Sequence, residues 1–336
     1  MNKEKLKNNL KMIQSQLNYI QSSADESCKI AVRSCLPETE AKAIMVILHG
    51  ATLPSIIFDL PVCEGNSMLS YMAENGIAAY TLDYRGYGLS SKPLAMDDPL
   101  MGGKPLINHV DATVDVLDVL DVLKFINQRH GKKEVIFCGF SWGSTIAGHI
   151  AATTNLATKL ILLGPVYSHQ NPQWAELADP NNVTKLNPSI KSYRIVSRER
   201  WCGLWDRELK THNALKWRDL AVLENLLVNI ENSDSAWASQ NARSACIRIP
   251  TGVLSDALRV YNKNPIYDAS KITCPTLVIR GEQDSASVSI DVSGLFNSLT
   301  CPKERMDITN ATHYGILEKE SRRFFKAISK FAVSLT

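Results

Sequence analysis

The sequence VIFCGFSWGSTIAGHIAA, residues 135–152, places Ser141 midway between Gly139 and Gly143. An apolar run, Val135–Cys138, precedes the serine and predicts a buried strand, and the small residues that follow it predict a helix. The serine would then stand on a sharp turn between a strand and a helix. Side chains at the two flanking positions would collide with the adjoining backbone in such a turn, so glycine is required at both.

This turn would lift the Ser141 hydroxyl clear of the sheet. It would also place the backbone N–H of Trp142 at a helix N-terminus, facing any negative charge that forms there. A serine hydroxyl becomes a good nucleophile only when a base takes its proton, and the base needs a third group to orient it. The motif therefore predicts a histidine and an acid supplied from elsewhere in the chain.

Short apolar runs alternate with helical patterns along most of the sequence. Five of these runs are continuous enough to predict strands covered on both faces: Ile44–Leu48, Ile77–Leu82, Val135–Cys138, Leu160–Leu163 and Thr276–Ile279. Strands that alternate with helices predict an α/β fold with a mostly parallel sheet and helices on both sides.

One of the intervening helices is expected over His109–Arg129. Four aspartates recur there at helical spacing, and no glycine of a metal-binding loop accompanies them. The pattern predicts a solvated helix face rather than a metal site, formed by Asp111, Asp115, Asp118 and Asp121.

The alternation stops after Pro165, and residues 167–267 are helical and loop-like without a strong strand pattern. We expect this segment to be a helical lid inserted into a core formed by residues 26–166 and 268–336. Five of the six tryptophans of the chain fall in the insertion and favour an apolar or aromatic roof over a pocket: Trp174, Trp201, Trp205, Trp217 and Trp237.

Composition narrows the class of protein. The chain has 336 residues, 45% of them hydrophobic, and 37 basic residues against 34 acidic ones give a net charge of +3. This balance does not indicate a nucleic-acid partner, and no apolar run reaches the roughly 18 residues of a membrane span. Residues 1–25 predict an N-terminal amphipathic helix, because five apolar residues recur at steps of three and four: Leu6, Leu10, Ile13, Leu17 and Ile20. Its role and the oligomeric state stay open.

The eight cysteines include no C-x-x-C pair, and the N-terminus lacks the apolar region of a secretory signal. We therefore expect eight reduced thiols in a cytoplasmic protein, with no metal cluster and no cofactor.

His313 is the strongest candidate for the base. It lies between the last predicted strand and the C-terminal helix. Asp284 lies just past the preceding strand and is the favoured acid, because Glu282 follows that strand too closely to reach across to the histidine. Ser141, Asp284 and His313 all follow strand carboxyl ends, which meet at one edge of a parallel sheet. The other histidines are better explained as surface, packing, insertion or helix-start residues: His109, His130, His149, His169 and His212.

The sequence ILHGAT, residues 47–52, supplies a fourth element. Its glycine lets the chain turn so that the backbone N–H of Ala51 faces the same space as that of Trp142. The two amides would form an oxyanion hole, in which each donor is worth about 3 kcal/mol to a tetrahedral transition state. His49 is expected to order this loop rather than act as a base.

Together these motifs resemble the α/β-hydrolase superfamily over nearly the whole chain from about residue 40. The resemblance rests on LHGAT, DYRGYGLSS, GFSWGS, the acid of GEQD and the histidine of NATHYG, and it implies an eight-stranded core with a helical lid. The elbow GFSWGST is similar to that of proline iminopeptidases, but HGATL stands where those enzymes carry HGGPG. Relatives that use aspartate as the nucleophile are excluded by Ser141.

The expected function is a serine hydrolase that cleaves a small ester or thioester with an apolar portion through an acyl-enzyme on Ser141. A carbon–carbon bond hydrolase, a lyase and an acyltransferase could use the same residues, and an aminopeptidase and a small-molecule receptor are further alternatives. The only partner expected is the small acyl substrate.

Overall fold

A computed structural model of the chain describes residues 13–96, 110–131, 134–209, 213–243 and 246–334. Eight strands form one mixed sheet in the order β1-β2-β4-β3-β5-β6-β11-β12. The first two strands are antiparallel to their neighbours, and the other six run parallel to one another. The predicted α/β fold with eight strands is confirmed.

The strands of the sheet include all five that the apolar runs predict. Their bounds are β1 Gln16–Gln21, β2 Lys29–Cys35, β3 Ala43–Leu48, β4 Ile77–Leu82, β5 Val135–Phe140, β6 Ala157–Leu163, β11 Thr276–Gly281 and β12 Lys303–Ile308. Four shorter strands lie between β6 and β11: β7 Ala178–Asp179, β8 Asn182–Leu186, β9 Tyr193–Ser197 and β10 Cys246–Pro250. Strands β4 and β5 are buried from end to end and β3 is buried beyond its first residue, as expected for a sheet covered on both faces.

Helices follow most of the strands. They are α1 Met68–Glu74, α2 Ala112–His130, α3 Trp142–Thr153, α4 Arg198–Glu208, α5 Ala214–Trp217, α6 Leu220–Asn232, α7 Ser235–Gln240, α8 Gly252–Tyr261, α9 Ser289–Ser298 and α10 Ser321–Val333. No helix among the described residues is both long and apolar enough to cross a membrane. All eight cysteines are free thiols, and seven of them are buried.

The strand order creates a crevice at the carboxyl end of the sheet. The chain moves from β3 outward to β4 and then returns past β3 to β5. Because crossovers between parallel strands are right-handed, this reversal places α1 and α2 on opposite faces of the sheet. The loops after β3 and β5 therefore diverge, and open α/β sheets bind ligands at such a point.

The segment between β6 and β11 contains more strand than the sequence predicts. Besides five α-helices it has the hairpin β7–β8 and the antiparallel pair β9–β10. Each strand of these pairs has at most five residues, and β9 and β10 lie far apart in sequence, so no hairpin signal marks their pairing. The segment's role as a lid stays a prediction.

The helix predicted over residues 1–25 is wrong for Gln16–Gln21, which forms edge strand β1. Leu6 and Leu10 lie outside the described residues. Leu17 and Tyr19 are exposed and Ile20 is half-buried, so the segment alternates as a strand does. The free edge of β2 supplies backbone hydrogen-bond partners, and this tertiary pairing overrides a spacing that a helix would also satisfy.

The solvated aspartate face predicted for α2 is also wrong, because all four carboxyl groups are buried. Asp118 pairs with the guanidinium of Arg85, with 3.0 Å between Arg85 Nε and the carboxylate. Asp121 accepts a 2.7 Å hydrogen bond from the amide of Ser23. The N-terminal segment and the loop after β4 cover this face of the helix, so tertiary partners replace the expected solvent.

Asp115 differs from its neighbours. Neither of its carboxyl oxygens has a hydrogen-bond partner within the described ranges, and burial raises its pKa well above the usual range, with Asp118 adding to the shift. Since the folded state then binds a proton that the unfolded state releases, this group lowers stability as pH rises above the ordinary aspartate value near 4.

We expect Asp115→Asn to raise the free energy of unfolding by about 1–3 kcal/mol at pH 8 and by less at pH 5, because the folded state no longer has to bind a proton that the unfolded state releases. Urea unfolding at both pH values measures the effect. Asp121→Asn is the control on the same helix: its carboxylate is hydrogen-bonded and its pKa is lowered, so the variant should lose stability at pH 8. Equal responses of the two variants to pH would contradict the prediction.

Candidate active site

Ser141 stands on a strained turn between β5 and α3. Its φ is 55° and its ψ is −123°, a conformation that non-glycine residues rarely adopt and that costs about 1–3 kcal/mol. A Cβ added at Gly139 would lie 2.2 Å from the carbonyl oxygen of Gly143, and one added at Gly143 would lie 2.3 Å from that of Leu48. Strand β5, helix α3 and strand β3 therefore approach closely only because both positions are glycine.

The three residues predicted to work together meet through the imidazole of His313. Its Nε2 lies 2.9 Å from the Oγ of Ser141, and its Nδ1 lies 2.9 Å from Oδ2 of Asp284. Ser141 follows β5, Asp284 follows β11 and His313 follows β12, so one edge of the sheet supplies all three. Glu282, the competing acid, is exposed.

Hydrogen bonds fix the positions of Asp284 and of the loop that carries His313. Oδ1 of Asp284 accepts hydrogen bonds from the amides of Ala286 (2.9 Å) and Ser287 (2.6 Å), which leaves Oδ2 for the imidazole. Thr312 donates through its amide (2.9 Å) and its hydroxyl (2.6 Å) to the buried carboxylate of Glu318. Hydrogen bonds thus hold both the acid that contacts the imidazole and the loop that carries His313.

The charge of Asp284 decides the ionisation of His313. Burial acts to lower the pKa of the imidazolium, but the charge and hydrogen bond of Asp284, with smaller contributions from Glu208 and Glu318, together outweigh burial, and the net pKa lies above the ordinary 6.5. An imidazole in this position can take a proton from the serine and keep it while charge develops. The arrangement can therefore make the Ser141 hydroxyl nucleophilic.

The two residues predicted to supply oxyanion-binding amides, Ala51 and Trp142, line the space above the serine. Ala51 follows β3 and Trp142 opens α3, and both residues line the same cavity as Ser141. Neither amide donates a hydrogen bond within the part of the chain that the structure describes. A Cβ added at Gly50 would lie 3.0 Å from Cβ of Ser141, so the loop after β3 lies directly against the serine.

His49 is part of the fold of this loop. It is fully buried, and burial lowers its pKa to about 4, so its ring is neutral. Nδ1 lies 2.8 Å from the carbonyl oxygen of Gly50, and Nε2 accepts a 3.3 Å hydrogen bond from the amide of Tyr84. This agrees with the expectation that His49 orders the loop. His109 and His212 lie outside the described residues.

A cavity of about 260 Å³ opens above Ser141. One wall is apolar and comes mainly from α8, with Val253, Leu254 and Val260. Of the five tryptophans in the insertion, all of which the structure describes, Trp174 alone lines this cavity. Trp201, Trp205 and Trp237 are buried, and the expected aromatic roof therefore reduces to a single ring.

Two ionisable residues of the cavity wall were not predicted. Asp256 on α8 accepts hydrogen bonds from the indole N–H of Trp142 (2.8 Å) and the amide of Ala112 (2.9 Å), and burial raises its pKa to about 7. Arg194 on β9 reaches the loop after β3. Neither residue belongs to a sequence motif, and only the packing of the insertion brings them to the site. No group of residues suited to a metal ion occurs in the described ranges.

Comparison with known proteins assigns the class. The family model for the alpha/beta hydrolase fold matches residues 43–320. The chain belongs to this family. No curated protein matches the sequence significantly.

Solved structures share the fold at low sequence identity. An alpha/beta hydrolase fold protein from Chitinophaga pinensis superposes with a TM-score of 0.60 at 14% identity, covering 96% of this chain and 99% of that one. A thermophilic esterase from Thermogutta terrifontis gives 0.60 at 15% identity, with 94% and 97% covered. An enol-lactonase from Burkholderia xenovorans LB400 gives 0.57 at 15% identity, with 94% and 100% covered.

Proposed function

We propose that the protein is a serine hydrolase that cleaves a small carboxylic ester or thioester. The single observation that carries the proposal is the pair of 2.9 Å contacts that link the Ser141 hydroxyl through His313 to Asp284 at the floor of a cavity. The esterase and the enol-lactonase among the structural neighbours act on bonds of this class, which is consistent with the proposal.

In the proposed mechanism, Oγ of Ser141 attacks the carbonyl carbon while its proton passes to Nε2 of His313. The carbonyl oxygen becomes an oxyanion and accepts hydrogen bonds from the amides of Ala51 and Trp142. His313 then gives the proton to the leaving alcohol or thiol, and an acyl-enzyme remains. A water molecule, deprotonated by the same imidazole, attacks this ester and releases the acid.

The cavity limits the substrate. A volume of about 260 Å³ accommodates a small acyl group, and the side chains of Val253, Leu254 and Ile266 favour an apolar portion. The experiment is a series of p-nitrophenyl esters and acyl thioesters of two to eight carbons, with product analysis in the presence and absence of an alcohol. We expect the free acid as the main product and the shorter chains as the better substrates. Formation of the acceptor ester as the main product would assign an acyltransferase instead.

The pH dependence of kcat/KM tests the base. Only neutral imidazole can accept the serine proton, and the Asp284 carboxylate raises the pKa of His313 above 6.5. We therefore expect log kcat/KM to rise by about one unit per pH unit in acid and to level off only above pH 6.5. A profile that is flat between pH 5 and pH 7 would contradict the assignment of His313.

A further inference from the structure

Arg194 brings a positive charge into the cavity without a negative charge to balance it. The residue lies on β9 and lines the cavity with Ser141. Its Nη2 donates to the carbonyl oxygen of Ala51 (3.3 Å) and the hydroxyl of Thr52 (3.2 Å), and both acceptors are neutral. No carboxylate lies within ion-pair distance of the guanidinium in the part of the chain that the structure describes.

Five arginines are more deeply buried than Arg194, which is half-buried, and they are arranged differently. Each of the five forms an ion pair with an aspartate at 2.7–3.5 Å: Arg33 with Asp83, Arg85 with Asp118, Arg218 with Asp206, Arg248 with Asp234 and Arg280 with Asp307. This is the expected pattern, because a charge removed from water requires a partner. Arg194 has no such partner, although its Nε is enclosed, and it lines the cavity above Ser141.

Two nitrogen atoms of the Arg194 guanidinium, Nε and Nη1, have no hydrogen-bond acceptor among the described residues. Nε is enclosed and has no acceptor, and burial lowers the pKa of the group. Nη1 makes no hydrogen bond to the described residues and is not enclosed, so it is open to an incoming acceptor. Asp256 does not serve as the counter-ion, because its Oδ2 already accepts from Trp142 and Ala112 and it forms no ion pair with Arg194.

We infer that the substrate carries a carboxylate group, which Arg194 binds while Ser141 attacks the ester carbonyl; the inference rests on the proposed hydrolase function. A planar guanidinium matches a carboxylate in shape and charge, and a charge-assisted hydrogen bond is stronger than a neutral one. The apolar wall on α8 holds the hydrocarbon between the two ends. The substrate class is therefore an ester or thioester of a short dicarboxylic acid, or one whose alcohol portion bears the carboxylate.

Matched pairs of esters test the inference. On the acyl side the pair is 4-nitrophenyl valerate and mono-(4-nitrophenyl) glutarate; on the alcohol side it is phenyl acetate and 4-carboxyphenyl acetate. We expect the protein to prefer the charged member of at least one pair in kcat/KM. In Arg194→Gln this preference should fall by about 10- to 100-fold, with little change for the neutral ester. Arg194→Lys should retain part of it.

Arg322→Gln is the control, since it removes the same charge from an exposed position on α10, where the partner is the exposed Glu64. It should leave the preference unchanged. Absence of a preference in both pairs would overturn the inference, and so would an equal loss for charged and neutral esters in Arg194→Gln, which would assign Arg194 to holding the Ala51 loop alone.

A binding measurement separates this inference from the proposed function. Calorimetric titration of Ser141→Ala with glutarate needs no turnover, and we expect binding that Arg194→Gln weakens by about tenfold or more. If no ester is cleaved but glutarate binding depends on Arg194, the hydrolase proposal fails and the carboxylate site stands. If esters are cleaved but glutarate does not bind, the site fails and the hydrolase proposal stands.

Discussion

Ser141→Ala is expected to lower kcat for ester hydrolysis by about 10⁶-fold, the scale of loss when the nucleophile of a serine triad is removed. Without the hydroxyl no acyl-enzyme can form. The remaining rate acceleration comes from substrate binding and from the two amides, which still stabilise direct attack by water. The strained backbone at this position is kept by the close packing of β5, α3 and β3, so alanine should not unfold the turn. Steady-state kinetics with a p-nitrophenyl ester measures the loss.

Covalent labelling supplies an independent readout of the same variant. A fluorophosphonate probe should label the unmodified protein once and should not label Ser141→Ala. The matched control is Ser239→Ala, an exposed serine on α7, which should keep both labelling and turnover. Labelling that survives the loss of Ser141 would mean that another residue is the nucleophile.

Asp284→Asn is expected to lower kcat by about 10⁴-fold at neutral pH, although the side chain keeps its size. The reason lies in the two amides that donate to Oδ1. They require an oxygen there, so the amide nitrogen of asparagine would occupy the place of Oδ2 and donate to Nδ1 of His313. The ring would then carry its proton on Nε2, and this nitrogen could no longer accept the proton of Ser141.

Glu282→Gln is the matched control, because Glu282 is exposed and lies two residues away on the same loop. It should change kcat by less than about threefold, as surface substitutions usually do. A large loss in Glu282→Gln together with a small loss in Asp284→Asn would mean that Glu282, and not Asp284, orients the imidazole. The pH profile gives a further check, since removal of the Asp284 charge should move the pKa of His313 downward.

The places where prediction from sequence was wrong share a cause. The four aspartates of α2 have the spacing of an exposed helix face, and nothing local reveals that the N-terminal segment and Arg85 cover them. The apolar spacing of Gln16–Gln21 is compatible with a helix and with a strand, and pairing with the edge of β2 selects the strand. Arg194 and Asp256 belong to no motif. In each case the deciding partner is distant in sequence.

The sequence by itself determined the inner strands of the sheet, the elbow at Ser141 and the selection of His313 and Asp284 as its partners, because apolar periodicity and glycine sterics act over a few residues. Tertiary structure alone decided what the insertion contributes to the cavity, including the charge of Arg194, the carboxyl group of Asp256 and the single ring of Trp174 beside the apolar wall of α8. Contacts between distant segments depend on how whole elements pack. The free energy of that packing is shared among many side chains, so no short segment of the sequence determines it.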